Sequence, residues 1–230
     1  DKGLPHPFFH LAPLYHWSRK KMDYKPLQVL LVLSKSKFPL YQNCANPLET
    51  SVPALGAAYN PSFSVTNGTA VPGGKTGEVT LYPRNVGQAI LSVSSGGKKI
   101  GTAEFRVNPV PPPDVYLSNR TGSARINPEQ AVPGNIPGLS IQAEADETFR
   151  NTLPKEATFR VSGITVRQFR GGRAIATKNF PSGAIAMTQF QSRPGDGFQV
   201  KVNSVQRVNS RGEIIPVNNL RTRLVSFFTK

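Results

Sequence analysis

The sequence predicts a mainly β chain, and three observations point that way. Short apolar runs alternate with polar residues at a period of two, turn signals separate them at intervals of about 8–12 residues, and no stretch keeps a helical period. The 21 Pro and 20 Gly are spread along all 230 residues, so they read as punctuation between strands rather than as one disordered block. At roughly 100–150 residues per domain the length fits two domains.

Residues 1–26 have a different texture. They hold the three histidines (His6, His10, His16), the single Trp17 and the basic run Arg19-Lys20-Lys21. Pro5, Pro7 and Pro13 argue against a continuous helix, so the segment reads as the tail of a preceding domain or as a linker. From Leu27 the strand candidates begin: 27–34, 62–66, 78–82, 88–94 and 98–107. Asn60-Pro61, Asn67-Gly68, Pro72-Gly73-Gly74 and Ser95-Gly96-Gly97 supply the turns, the last joining two strands as a hairpin. Several short strands with this spacing predict an immunoglobulin-like β-sandwich over 27–108. The single cysteine, Cys44, excludes the Cys…Trp…Cys core of antibody domains and any disulfide within the chain.

Asn108-Pro109-Val110-Pro111-Pro112-Pro113 marks a stiff linker at 109–113. A second β-rich domain is expected over 114–230, with at most one or two short helices. Its strand candidates are 139–144, 157–169 with an interruption at Ser162-Gly163, 174–180, 198–208, 213–217 and 221–228. Arg170-Gly171-Gly172-Arg173 and Asn209-Ser210-Arg211-Gly212 read as hairpin turns. Residues 182–191 fit a strand or a short helix capped by Ser182 about equally.

The sequence lacks the parts of common catalytic sites. No histidine follows His16 and no Gly-x-Ser-x-Gly occurs, so a His-based nucleophile has no base in the folded domains and no enzyme is expected. Gly73-Gly74-Lys75-Thr76 misses the spacing of a phosphate loop, and a strand rather than a helix follows it. Glu144, Asp146 and Glu147 lack the loop spacing of a calcium site and read as a solvated turn. The histidines are too loosely spaced to pair on a helix. Neither metal nor cofactor is expected. No apolar run approaches the roughly 20 residues that span a bilayer, and the chain opens at Asp1 without a signal peptide. The expectation is a soluble piece whose signal or anchor lies upstream.

The formal net charge of +15 favours anionic partners. Sixteen Lys and Arg lie at or after Asp114, and most are Arg, the residue suited to bidentate binding of carboxylates and phosphates. Arg167, Arg170, Arg173 and Lys178 fall on or beside one hairpin, Arg221 and Arg223 on one face of the last strand, and Arg160 joins them from the strand candidate 157–169. These seven form the candidate partner-binding set. The interleaved Phe159, Phe169 and Phe180 read as core rather than as a stacking platform. An acidic protein partner is therefore expected ahead of nucleic acid.

One run carries a resemblance to a known family. Tyr41-Gln42-Asn43-Cys44-Ala45-Asn46-Pro47-Leu48-Glu49-Thr50-Ser51-Val52-Pro53-Ala54-Leu55-Gly56 resembles the start of the third periplasmic domain of GldM/PorM proteins of the type IX secretion and gliding-motility machine. There a Tyr precedes Asn-Pro-Leu/Ile and then Ser-Val-Pro. The likeness continues through 101–107, the Pro-rich linker, 139–159, Pro194-Gly195-Asp196-Gly197-Phe198 and Arg211-Gly212-Glu213, and so covers about residues 35–228. Cys44 stands where the family has a small or acidic residue, 143–147 is less apolar than its pattern, and 1–26 does not match.

The resemblance implies a non-catalytic structural subunit, anchored in the inner membrane by an upstream helix. It implies a homodimer extended through the periplasm that couples an inner-membrane motor to a ring of outer-membrane-associated proteins through the C-terminal domain. It also implies a short helix within 182–191 and supplies no catalytic residue. Tyr41, Asn46, Pro47, Ser51, Val52, Pro53 and Gly56 are expected to be structural, setting an edge strand that cannot accept a neighbour at its prolines. The alternatives are an envelope adhesion or ligand-binding sandwich module and a basic nucleic-acid-binding protein.

Overall fold

The computed structural model of the protein describes residues 32–34 (backbone only), 39–120 and 124–230. The segment 1–26, with its histidines and Trp17, and the first part of the strand expected at 27–34 lie outside the described residues. The chain divides into two units, Asp1–Val110 and Pro111–Lys230. Both are built of sheets, in accord with the mainly β expectation.

In the first unit the strands are β1 (Val32–Ser34), β2 (Leu40–Tyr41), β3 (Asn46–Ser51), β4 (Pro61–Val65), β5 (Gly68–Pro72), β6 (Glu78–Pro83), β7 (Gly87–Ser95) and β8 (Lys98–Asn108). One sheet has the order β1-β3-β6-β5 and the other β2-β8-β7-β4. Their inner faces meet in one core: Leu48, Val79 and Leu81 come from the first sheet, and Leu91, Val93, Phe105 and Val107 from the second. The period-two alternation predicts this, since each strand can bury only one face. The segment 73–77 is the turn between β5 and β6, closed by Gly73 N–H donating to Glu78 O at 2.7 Å, and not a phosphate loop. Gly77 needs its positive φ of 89°, and a Cβ there would meet Thr50 O at 2.1 Å.

Asn46 explains the Tyr…Asn-Pro-Leu run. Its buried amide Nδ2 donates to Tyr41 O (3.0 Å), Cys44 O (2.8 Å) and Leu81 O (3.2 Å), while Oδ1 accepts from Tyr41 N (2.8 Å). One side chain thus ties the end of β2, the turn through Asn43 (φ 52°) and β6 together. Cys44, inside that turn, is buried. Val52 is buried ahead of a 3-10 turn, Pro53–Ala58, which Pro53 opens and Gly56 (φ 46°) bends. The expectation that this run forms an edge strand is corrected: β3 lies between β1 and β6. Its pairing with β1 covers only residues 49–51, so Pro47, which has no N–H to give, sits beyond the ladder on that side.

In the second unit the strands are β9 (Asp114–Asn119), β10 (Gly138–Glu144), β11 (Thr158–Arg170), β12 (Arg173–Phe180), β13 (Ala184–Ala186), β14 (Gly197–Val208), β15 (Ile214–Pro216) and β16 (Leu224–Phe228). A three-stranded sheet, β13-β10-β9, packs on a five-stranded one, β12-β11-β14-β15, with β16 also on β14. Leu117, Leu139, Ile141 and Ile185 of the small sheet meet Ile164, Val166, Val200 and Val225 of the large one. Phe198 joins Phe190 edge-on at 5.4 Å and Phe227 stacked at 5.0 Å. Burial of each such ring contributes about 1.5–3 kcal/mol.

The interruption at Ser162-Gly163 is real. The β11–β14 register shifts on either side of Gly163, so that Val161 faces Val205 and Ile164 faces Val202. The short helix α1 (Glu147–Thr152) is N-capped by Asp146, whose carboxylate accepts from Phe149 N at 3.1 Å. The acidic stretch 144–147 is therefore a strand end and a helix cap rather than a plain turn. Residues 182–191 split between the two readings, giving β13 and a 3-10 turn, Met187–Gln189.

Asn46→Ala removes the four buried hydrogen bonds of the Asn46 amide, and is expected to destabilise the first unit by about 3 kcal/mol, the upper end for unmade buried hydrogen bonds. Urea unfolding, with hydrogen exchange at the Tyr41 amide, measures it. A loss below about 1 kcal/mol would show that water replaces the amide there.

Candidate partner-docking surface

The five strands of the large sheet contain no Asp or Glu, yet they carry Arg160, Arg167, Arg170, Arg173, Lys178, Lys201 and Arg207. The structure sorts these cations into different environments, and it does not treat the expected set as one patch.

Arg170 is committed inside the unit. The tight hairpin Arg170-Gly171-Gly172-Arg173, with φ of 54° and 78° at its two glycines, turns β11 into β12. It leaves the Arg170 guanidinium over Asp196. Nε donates to Oδ1 and Nη2 to Oδ2, both at 2.8 Å, and Nη2 also donates to Gln191 O at 2.9 Å. Gln168 Nε2 (2.8 Å) and Arg193 N (2.9 Å) complete the shell around the buried carboxylate. The Arg170 hydrogen bonds first, then those of Arg193 and Gln168, hold the Asp196 carboxyl well below the usual carboxylate range, against the opposing effect of burial. The same pairing raises Arg170.

Arg207 is likewise internal. Its Nη1 donates to Glu156 Oε2 at 2.7 Å, with the two side chains 3% and 1% exposed. Arg173 and Lys178 lie on β12, which among the described strands pairs only with β11. A register shift between Gln168 and Phe169 bulges the β11–β12 ladder. Cations and a bulge on an edge strand deter pairing with another strand. Arg160 and Arg167 project from the exposed side of β11. Arg221 and Arg223 are corrected: the last strand begins at Leu224, so they precede it, and Arg223 Nη2 donates to Asn218 O at 2.8 Å. Among the described residues, Arg160, Arg167, Arg173, Lys178 and Lys201 have no acidic partner.

Lys201 is the member that sequence reasoning missed. It stands directly opposite Thr165 on the outward side of β14, in phase with Arg167. Its signal was the alternation Phe198, Val200, Val202, which fixes residue 201 as outward. On the small sheet the charges are matched instead. Arg125 bridges Asp114 (2.8 Å) and Glu144 (2.6 Å) and lies 3.8 Å over the Tyr116 ring. Arg150 also pairs with Glu144, and these bonds, Arg125's first, lower the Glu144 pKa. Among the described residues no group of three His, Cys, Asp or Glu is arranged to hold a metal ion, and no helix is long and apolar enough to cross a membrane.

Two outcomes follow from the internal pairs. Glu156→Gln removes the carboxylate charge opposite the buried Arg207 guanidinium and is expected to cost about 3–5 kcal/mol, whereas the apolar double replacement Glu156→Leu/Arg207→Met costs much less. Chemical denaturation of both variants separates these, and equal losses would contradict the pairing. Asp196 has a folded-state pKa below its ordinary 3.8. Its contribution is complete above that ordinary value and drains away as pH falls below it. The melting-temperature gap between wild type and Asp196→Asn should therefore start to shrink below about pH 4. A gap that stays constant on further acidification would remove this role.

Comparison with known proteins places the chain. Residues 30–108 match the family model of the GldM third domain, and residues 109–226 that of the GldM C-terminal domain. No curated protein sequence matches. Among solved structures, the Yersinia pseudotuberculosis adhesin InvE shares 16% identity over 87% of this chain at a TM-score of 0.29, and the chain spans 58% of that one. Fibronectin(III)-like modules of Clostridium thermocellum CbhA share 12% over 87% of this chain and 94% of theirs, at 0.25. Domains 5-6 of the S-layer protein SbsC share 12% over 89% and 99%, at 0.29. With the two domain matches running from residue 30 to residue 226 in the family's own order, the chain belongs to the GldM family and carries its third and C-terminal domains.

Proposed function

We propose that the chain is a non-catalytic, homodimeric subunit that spans the periplasm and couples an inner-membrane motor to a ring of outer-membrane-associated proteins, docking through its C-terminal domain. Family membership makes it a component of the gliding and type IX secretion machinery, which works in complexes. The observation that carries the finer reading is the succession of both GldM domains in one chain. Physical features support it. The four prolines of 108–113 favour an extended, stiff connection, which transmits force with less slack than a Gly/Ser one. The second unit carries an unmatched basic surplus on an acid-free sheet, a fitting property for a docking domain. Arg160, Arg167, Arg173 and Lys178 remain in the docking set. Arg170 leaves it, because Asp196 already occupies its guanidinium.

The test is a pull-down of the chain against an envelope extract, with its solution mass read by light scattering. A dimer that retains outer-membrane-associated ring components is expected. A monomer that retains none of them, or only nucleic acid, would overturn the proposal.

A further inference from the structure

The inner face of the large sheet is closed by the small sheet and the core between them. Its outer face follows from the register. One row reads Phe169–Gly197–Phe228, the next Arg167–Gln199–Ser226, and the next Thr165–Lys201–Leu224. Phe228 is 56% exposed and Leu224 50%. A Cβ at Gly197 would lie 3.3 Å from Phe228 Cε1 and 3.9 Å from Phe169 Cβ, so the two phenylalanines border one glycine-floored strip. Neither Phe169 nor Phe228 belongs to the core. Beyond the paired irregularity at 162–163 and 203–204, Arg160 emerges on this same side. The face therefore has apolar anchors, three cations and no carboxylate.

We propose that this outward sheet face docks an acidic surface of a partner protein, with Phe228, Phe169 and Leu224 as anchors and Arg160, Arg167 and Lys201 around them. It rests on the reading of the second unit as a docking domain, and it moves the contact from the hairpin tip to the sheet. Aromatic anchors ringed by Arg are the residues that dominate protein interfaces. A second copy of the chain is a poor occupant, because a two-fold contact would set the same cations against each other with no acid to answer them. Nucleic acid is also a poor one. Leu224 offers no π-face to a base, and three separated cations do not track a phosphate backbone.

The test places a photo-crosslinking residue at Gln199 and, separately, at Ser226 of the full chain in the cells that make it, and identifies the adducts by mass spectrometry. The expected adduct is a protein crosslinked through an Asp/Glu-rich surface. Its yield should fall about 10-fold in Arg167→Glu/Lys201→Glu and in Phe228→Ser, but not in the control Lys155→Glu. Should Phe228→Ser melt early, Leu224→Ser replaces it. Adducts only to a second copy or to nucleic acid, no adduct, or a yield indifferent to charge reversal would overturn the proposal. If the acidic partner is not a ring component, the ring-coupling reading falls and this surface stands. If the chain retains the ring while these positions stay silent, the surface falls and the coupling reading stands.

Discussion

The second unit is governed by the alternation of side chains along β11 and β14. These are its two longest strands, thirteen and twelve residues, and each can give only one face to the core. Neither keeps a single phase throughout. In β11 the buried positions run Val161, then Ile164, Val166 and Gln168; in β14 they run Phe198, Val200, Val202, then Val205 and Arg207. The two phase changes occur side by side, at 162–163 and 203–204, where Ser162 Oγ and Ser204 Oγ meet at 3.0 Å. Had only one strand slipped, every later side chain of that strand would have crossed to the wrong face. Because both slip together, Val161, Ile164, Val166, Val200, Val202 and Val205 all stay on the core side, and Arg160, Arg167 and Lys201 all stay on the outer one.

That constraint explains the fate of the arginines. A position that alternation sends inward must find a partner or be replaced, since an isolated buried charge is costly. Arg207 finds Glu156 and Arg170 finds Asp196, across 51 and 26 residues of chain. These pairs consume two of the eight acidic residues in the sequence from Asp114 onward. Others serve the small sheet, at Asp114 and Glu144, and the α1 cap, at Asp146. The large sheet's outward positions are left with no acid to neutralise them.

Much of this was legible beforehand. The hairpins at 95–97 and 170–173, the interruption at 162–163 and the alternation of 198–202 all declare themselves through local chemistry. The strands that escaped did so for physical reasons. In β3 the buried positions are Asn46, Leu48 and Thr50, so the period of two is present but written in polar residues that satisfy hydrogen bonds rather than bury carbon. The strand β5 is bounded by Gly68 and Pro72 and was absorbed into the turns on either side of it. For the site, the sequence located the basic surplus but not its sorting. Alternation sets Arg170 on the opposite side of β11 from Arg167, but the carboxylate that meets it, Asp196, is brought there only by tertiary pairing. Phe228 and Leu224 were hidden because the last strand is apolar in both phases, which reads as core until one face is seen to lie in the open.

A basic face of this kind has a cost and a use that are the same interaction. Like charges on one surface repel, which destabilises the compact state and opposes association of identical faces. The exposed Phe228 and the edge strand β12 would otherwise invite copies of the chain to stack or to extend the sheet. Arg160, Arg167 and Lys201 guard the face in this way, as Arg173, Lys178 and the bulge guard β12. The guard is lifted only by a partner that brings carboxylates, and then the anchors are released to act. The same repulsion is the reason the proposed homodimer would join through some other surface.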